Sequence, residues 1–125
     1  MIYGIGIDII EIQRIKESVD KLGDKFLNKI FTEKELDYSL SKPNKYQHLA
    51  ARFAAKEAVT KALGTGWNGE FSWKNIEVSN DEKGKPLVNL TGPLVEALSD
   101  GKKLQVTMSH SREYVSCFAI IHKNE

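Results

Sequence analysis

The chain has 125 residues, of which 18 are basic and 17 acidic, so its net charge at neutral pH is +1. This length allows one domain with a hydrophobic core but is short for two. A charge so close to zero excludes bulk electrostatic attraction to nucleic acid or membranes, so phosphate recognition would need a local cluster of cations. The single cysteine, Cys117, excludes an internal disulfide and a four-cysteine zinc site.

The N-terminal segment has neither the basic region nor the long apolar run of a signal peptide. No apolar run approaches the roughly 20 residues of a membrane span. We therefore predict a cytoplasmic protein whose partners include neither nucleic acid nor a membrane.

Residues 2–10 predict a buried first strand, with Gly4, Gly6 and Asp8 on one face. Glycine within a strand often marks the close approach of a ligand or of another backbone. An unpaired carboxylate in such an apolar run is costly to bury. Asp8 is therefore either a cap for the following helix or part of a functional site.

Helical patterns follow this strand. They cover 11–22, ending at Gly23, then 24–31, a third helix to about residue 40 opened by a capping box at Thr32–Glu35, and a long helix from Tyr46 to the stop at Gly64.

The second half of the chain is mainly strands. It contains an irregular segment at 67–73, a hairpin of strands 75–79 and 86–90, a helix capped by Thr91 up to about residue 98, and a last hairpin of strands 103–109 and 114–121. Both faces of the last strand are apolar, which predicts that both are buried and that Cys117 is a core residue. The element order predicts one α+β domain over residues 1–125, in which helices, one of them long and central, pack a small antiparallel sheet.

The long helix carries Phe53, Glu57 and Lys61 on one face, four positions apart. Glu57 and Lys61 could be an ordinary surface ion pair. Alternatively, Glu57 and Asp8 suit Mg²⁺, which typically takes one or two carboxylates together with substrate phosphates. Lys61 would then neutralise a phosphate oxygen.

Three further features bear on a phosphate site. The Gly64-Thr65-Gly66 turn could present backbone N–H groups to a phosphate, although a helix end explains the glycines equally well. His110 lies between two predicted strands, a usual place for a functional side chain. His48 and His122 are interpreted as structural or solvated, since the histidines lack the spacing of zinc ligands.

Several motifs follow one another along nearly the whole chain. They are GIGIDIIEIQR at 4–14, FTEKE at 31–35, RFAAKEA at 52–58, KALGTG at 61–66, IEV at 76–78, GKP at 84–86 and SHSREY at 109–114. Together they resemble the bacterial holo-[acyl-carrier-protein] synthases, the short-type 4′-phosphopantetheinyl transferases. A small departure is Met108, where leucine or isoleucine is more usual in that family.

The resemblance implies a transferase of fatty acid biosynthesis. Such an enzyme moves 4′-phosphopantetheine from coenzyme A to a serine of apo-acyl carrier protein and releases 3′,5′-ADP. By the same resemblance Asp8 and Glu57 hold Mg²⁺, and Glu57 accepts the serine proton, directly or through a water on the metal. Lys61 stabilises or protonates the departing phosphate.

The resemblance also implies contacts with both substrates. Those assigned to coenzyme A are Arg52, Lys61, Gly64, Thr65, Gly66, Ser109 and His110. Arg14 matches the position that meets the acidic carrier protein, although it could equally be an ordinary solvated arginine. The short family members are homotrimers with active sites between subunits. By this resemblance Asp8 and Glu57 would face His110 of a neighbouring subunit. Such an assembly would also explain why both faces of the last strand are apolar.

Two alternative functions remain when only the residue types and their spacing are considered. Another magnesium-dependent phosphate-transfer or nucleotide-hydrolysing enzyme would share Asp8, Glu57 and Lys61. An RNA-binding module would use Arg52, Lys56, Lys61 and the tryptophans for backbone and stacking contacts, but the net charge and the lack of a basic stripe disfavour it.

Overall fold

The protein is described by a computed structural model over residues 1–124, in which two antiparallel sheets and several helices surround one long helix. In chain order the elements are β1 Ile2–Glu11, α1 Ile12–Leu22, α2 Asp24–Ile30, α3 Glu33–Leu40, α4 Lys45–Leu63, β2 Ile76–Asn80, β3 Pro86–Leu90, β4 Lys103–His110 and β5 Tyr114–His122. Short 3₁₀ helices lie at Trp73–Asn75 and Gly92–Leu98. This order confirms the predicted α+β class. None of the helices in the described part is long and apolar enough to cross a membrane.

The larger sheet has the strand order β1-β5-β4, and β2 pairs with β3 in a separate hairpin. In the larger sheet Asp8 lies opposite Cys117, which in turn lies opposite Met108. The long helix α4 packs across one face of this sheet. Asp8 therefore lies in an edge strand, where α4 can bring further side chains to it.

Two glycines allow α4 to approach β1 closely. A Cβ atom built on Gly4 would lie 1.9 Å from the backbone oxygen of Ala62, and one on Gly6 would lie 1.9 Å from that of Ala58. The predicted close approach to the glycine face is therefore made by the backbone of α4. This contact places Lys61 and Glu57 beside Asp8.

We expect Gly6→Ala to destabilise the fold by at least about 1–3 kcal/mol, because the added methyl group would force α4 away from β1. The free energy of unfolding in urea measures this effect. A variant as stable as the wild type would show that the two backbones can separate freely, contrary to this packing.

The prediction that β1 is buried is wrong for one of its faces. Ile5, Ile7 and Ile9 are 60%, 61% and 64% exposed, whereas Gly6 on the other face is buried. The prediction for β5 fails in the same way, because Phe118 is 36% exposed. Apolar periodicity identifies the faces of a strand but does not say what covers them, and within residues 1–124 nothing covers this one.

The uncovered face is formed by two adjacent strands. It is called the outer sheet face below and consists of Ile5, Ile7, Ile9, Tyr114, Phe118 and Ile120. The opposite side of β5 carries the predicted core residues, among them Cys117, which is 1% exposed. Burial raises the pKa of the Cys117 thiol to about 12, as expected of a core cysteine rather than a reactive thiol.

A buried ion pair joins α3, α4 and the β2–β3 hairpin. Lys56 Nζ donates to Glu35 Oε1 at 2.8 Å, and both side chains are completely buried. Lys56 also donates to the backbone oxygens of Trp73 and Ile76, while Glu35 Oε2 accepts the Val78 N–H. Burial lowers the pKa of Lys56, and the nearby Glu35 charge opposes that change.

The N-terminus of α3 is fixed by the same glutamate. Glu35 Oε1 accepts the Thr32 N–H at 2.9 Å, and Thr32 Oγ1 accepts the Glu35 N–H, which confirms the predicted capping box. Lys56 is consequently unavailable for the phosphate contacts that an RNA-binding role would require. This finding counts against that alternative.

Candidate active site

Lys61 reaches from α4 to the C-terminal half of β1. Its Nζ donates to the backbone oxygen of Ile7 at 2.8 Å and lies 3.4 Å from Asp8 Oδ1. The Lys61 side chain is 53% exposed and that of Asp8 is 17% exposed. Among the ion pairs of the described residues Lys61 pairs with Asp8 and not with Glu57, so the interpretation of Glu57 and Lys61 as an ordinary surface pair is wrong.

The two carboxylates of the site are partly desolvated. Burial raises the pKa of Asp8, an effect that the neighbouring Lys61 opposes. Burial also raises the pKa of Glu57; the hydrogen bond from Trp67 opposes this shift, and the charge of Asp8 adds to it. Negative charge is thus incompletely compensated where β1 meets α4.

These residues fit a magnesium ion. Both carboxylates offer hard oxygen ligands, and the charge of Asp8 raises the pKa of Glu57, so a divalent cation between them would relieve this repulsion. Residues 1–124 contain no cluster of three or more histidine, cysteine, aspartate or glutamate residues that could hold a metal. A Mg²⁺ ion here would therefore keep positions open for water and substrate oxygens, as this ion usually does.

We expect Asp8→Asn to raise the melting temperature at neutral pH in the absence of divalent metal. The raised pKa means that Asp8 binds a proton more readily in the folded protein than in the unfolded chain. Asp8 therefore lowers stability as the pH rises above 3.8, the ordinary pKa of an aspartate. Thermal unfolding in chelator at neutral pH and below pH 3.8 tests this, and the gain should vanish at the lower pH. A lower melting temperature for the variant at neutral pH would contradict the desolvated site.

A second group of predicted residues lines a separate cleft of about 170 Å³ between α4 and the end of β4. The lining includes Arg52, Ser109 and His110, together with Gln47, His48, Ala51, Asn80, Met108 and Val115. Neither Asp8 nor Glu57 lines this cleft. Within one chain the structure therefore does not bring the two groups into a single pocket.

Arg52 is almost completely buried where it lines this cleft. It is 3% exposed, its Nη2 donates to Asn80 Oδ1 at 2.9 Å, and its guanidinium lies 4.5 Å from the centre of the Tyr38 ring. Its Nε is buried without a hydrogen-bond partner. Because buried donors normally have a partner, this orientation suits an acceptor-rich ligand such as a phosphate.

His48 is a cleft residue that the sequence analysis interpreted as structural or solvated. It lies one helical turn before Arg52, and its ring meets the edge of Tyr38 at 5.5 Å between centres. Burial lowers the pKa of His48, and the positive charges of Arg52 and Lys42 lower it further. The four-residue spacing from Arg52 is the signal that could have placed His48 in the cleft.

The remaining predicted site residues are exposed. Gly64 ends α4 in a left-handed conformation. Its backbone N–H donates to the carbonyl oxygens of Thr60 and Lys61, so this N–H cannot also bind a phosphate. Thr65 and Gly66 follow on the surface beyond Lys61. Arg14 lines an open groove on α1, together with Glu17, Ser18, Lys21 and Leu22.

The chain resembles proteins of one family over almost its full length. The family model of the 4′-phosphopantetheinyl transferase superfamily matches residues 4–119. A protein of Protochlamydia amoebophila named holo-[acyl-carrier-protein] synthase is 48% identical over 120 residues, which are 96% of this chain and 98% of that protein.

Solved structures agree with this result. The holo-[acyl-carrier-protein] synthase of Neisseria meningitidis superimposes with a TM-score of 0.89 at 38% identity, covering 98% of this chain and 100% of that one. The enzyme of Bacillus anthracis in complex with CoA (3′,5′-ADP) gives a TM-score of 0.82 at 36% identity, covering 99% of each chain.

The fold and the match identify an enzyme of the transferase class. The chain belongs to the 4′-phosphopantetheinyl transferase superfamily. Within it, the chain is similar to the holo-[acyl-carrier-protein] synthases, which confirms the resemblance and the fold inferred from the motifs.

Proposed function

We propose that this chain is a holo-[acyl-carrier-protein] synthase that transfers 4′-phosphopantetheine from coenzyme A to a serine of apo-acyl carrier protein and releases 3′,5′-ADP. The observation that carries the proposal is the meeting of Asp8, Glu57 and Lys61 where α4 crosses β1. The relatives' names and the coenzyme A complex of the Bacillus anthracis enzyme support the choice of substrates. We propose that the whole chain, residues 1–125, is one such domain and that it acts in the cytoplasm.

Asp8 and Glu57 are the proposed ligands of Mg²⁺. When bound, this ion neutralises charge on the phosphate oxygens of coenzyme A and orients them, which is most of what phosphoryl transfer requires. Burial of the two carboxylates strengthens their attraction to the ion, because the surrounding dielectric is lower than that of water.

The reaction forms one bond and breaks another at the phosphorus that carries the pantetheine. The carrier serine oxygen attacks this phosphorus, and the bond to the bridging oxygen of 3′,5′-ADP breaks with its electron pair. Glu57 is the proposed acceptor of the serine proton, since burial raises its proton affinity. Lys61, already within 3.4 Å of Asp8, can donate to the departing phosphate.

The cleft around Arg52 is the proposed site for the nucleotide end of coenzyme A. The Nε atom of Arg52 is buried and has no hydrogen-bond partner, and Ser109 and His110 add hydrogen-bonding groups to the lining of the cleft. Thr65 and Gly66 are proposed to contact the substrate near Lys61. Because this cleft and the Asp8–Glu57 pair do not share a pocket within one chain, we propose that coenzyme A reaches both groups across a boundary between two subunits.

We propose a homotrimer in which the outer sheet face is covered by a second copy of the chain. Five of its six residues are exposed, namely three isoleucines and both aromatic residues, and an exposed apolar patch of this kind marks an interaction surface. An assembly with cyclic symmetry would bring the Arg52 cleft of one subunit to the Asp8–Glu57 pair of another.

Ile7→Asp is expected to convert the assembly to monomers and to abolish most of the transferase activity, because a charge would lie in the buried interface. Sedimentation velocity measures the change in mass. Asn89→Asp, at an exposed position of β3, adds the same charge elsewhere and should leave the trimer intact. A monomeric wild-type protein with full activity would contradict the shared site.

Arg14 and the groove on α1 are the proposed carrier-protein contact. The groove combines two cations, Arg14 and Lys21, with the exposed apolar surface of Leu22, a combination that suits an acidic partner with an apolar anchor. The exposed position of Arg14 supports this role, because the side chain has room to pair across an interface.

The test is incubation of the protein with coenzyme A, Mg²⁺ and apo-acyl carrier protein, followed by mass spectrometry of the carrier. We expect the carrier serine to gain one phosphopantetheinyl group only when all components are present. An unmodified carrier would overturn the proposal. Release of nucleotide from coenzyme A without carrier protein would instead favour the hydrolase alternative.

A further inference from the structure

Trp67 connects Glu57 to the loop that follows α4. Its indole Nε1–H donates to Glu57 Oε1 at 3.0 Å. The loop contains three glycines with positive φ, at positions 64, 66 and 69, so its backbone does little to restrict the tryptophan. The ring must therefore be held by its packing.

A stack of aromatic rings provides that packing. Trp67 stacks on Trp73 with 3.8 Å between ring centres, and Trp73 stacks on Phe53 at 5.1 Å. Phe71 lies against the same Trp67 ring at 5.1 Å, tilted by 42°. Because Phe53 lies on α4 one turn before Glu57, the stack starts from the helix whose carboxylate Trp67 contacts.

The contact distinguishes the two oxygens of Glu57. Oε1 accepts the indole N–H, while no hydrogen-bond donor of the described residues reaches Oε2. Carboxylates that bind metals are commonly oriented by hydrogen bonds of this kind from groups that do not touch the metal. Indole is suited to the task because it donates a hydrogen bond and carries no charge that would compete for the ion.

We infer that Trp67 is a positioning residue, which fixes Glu57 through Oε1 so that Oε2 is presented to the divalent metal. The inference rests on the proposed function, since it takes Glu57 as a metal ligand. It assigns the aromatic stack the task of holding the loop residue at the site.

Trp67→Phe and Trp73→Phe form a matched pair of variants. Both make the same replacement in the same stack, but only Trp67→Phe removes the N–H that Glu57 accepts. The affinity for Mn²⁺ is measured by electron paramagnetic resonance of the free ion in the presence of saturating coenzyme A. Coenzyme A affinity in chelator is measured in parallel.

Trp67→Phe is expected to weaken Mn²⁺ binding by about tenfold or more. Trp73→Phe should change it by less than about twofold, and coenzyme A affinity without metal should change little in either variant. Mn²⁺ affinity that is unchanged in Trp67→Phe, or equally weakened in both variants, would overturn the inference.

Glu57→Gln separates this inference from the function on which it rests. If the wild type binds Mn²⁺ and Glu57→Gln loses it, the metal site stands and the two tryptophan variants decide the inference. If Glu57→Gln binds Mn²⁺ as the wild type does, or the wild type binds none, the metal assignment fails and the positioning role fails with it.

Discussion

Replacing Glu57 with glutamine is expected to reduce the kcat of phosphopantetheine transfer by at least about 100-fold, equivalent to roughly 3 kcal/mol of transition-state stabilisation. Glutamine keeps the size of the side chain and can still accept the Trp67 N–H, but it loses the charge that is proposed to hold the metal and to take the serine proton. Steady-state rates over a range of Mg²⁺ concentrations measure the effect.

Glu96→Gln provides the control, because Glu96 is exposed in the 3₁₀ helix Gly92–Leu98 and belongs to none of the proposed sites. Its kcat and Mg²⁺ dependence should match those of the wild type. Full activity of Glu57→Gln with an unchanged requirement for Mg²⁺ would show that the ion is bound elsewhere.

Lys56→Met is expected to cost about 3–5 kcal/mol of folding free energy, because it leaves the Glu35 carboxylate buried without its cation. A domain of this size is commonly stable by only about 5–15 kcal/mol, so the loss is a large fraction of the total. The free energy of unfolding in urea provides the measurement.

Two further variants identify the cause of that loss. Lys29→Met, at an exposed position of α2, should change stability little. Glu35→Gln combined with Lys56→Met removes both charges and should recover part of the stability lost by Lys56→Met alone. A single variant as stable as the wild type would mean that the buried pair does not hold α3 and the hairpin to α4.

The elements could be predicted from the sequence because their signals are local. The capping box at Thr32–Glu35 and the left-handed Gly64 that ends α4 are each specified by neighbouring residues. Gly6 also indicated a close approach to β1, although the sequence could not say that α4 makes it.

The site was only partly predictable, because its contacts join distant parts of the chain. Periodicity places Glu57 and Lys61 on one helix face, but the pairing of Lys61 with Asp8 depends on how α4 crosses β1. Trp67 has no local pattern that would connect it to Glu57.

Burial was the hardest property to predict. Lysine is usually a surface residue, yet the side chain of Lys56 is completely buried where it contacts Glu35. Ile5 and Ile7 show the reverse, because isoleucine is usually buried and both side chains are exposed in the single chain. In neither case do the neighbouring residues in the sequence specify whether the side chain is buried.

We propose above that Asp8 and Glu57 bind the divalent metal that acts on coenzyme A. A crystal of the protein with Mn²⁺ and coenzyme A, measured for anomalous scattering, locates the ion directly. We expect one Mn²⁺ peak within about 2.5 Å of a carboxylate oxygen from each of these two residues, with further positions filled by phosphate oxygen and water. A coenzyme A complex in which the ion contacts neither Asp8 nor Glu57 would contradict it.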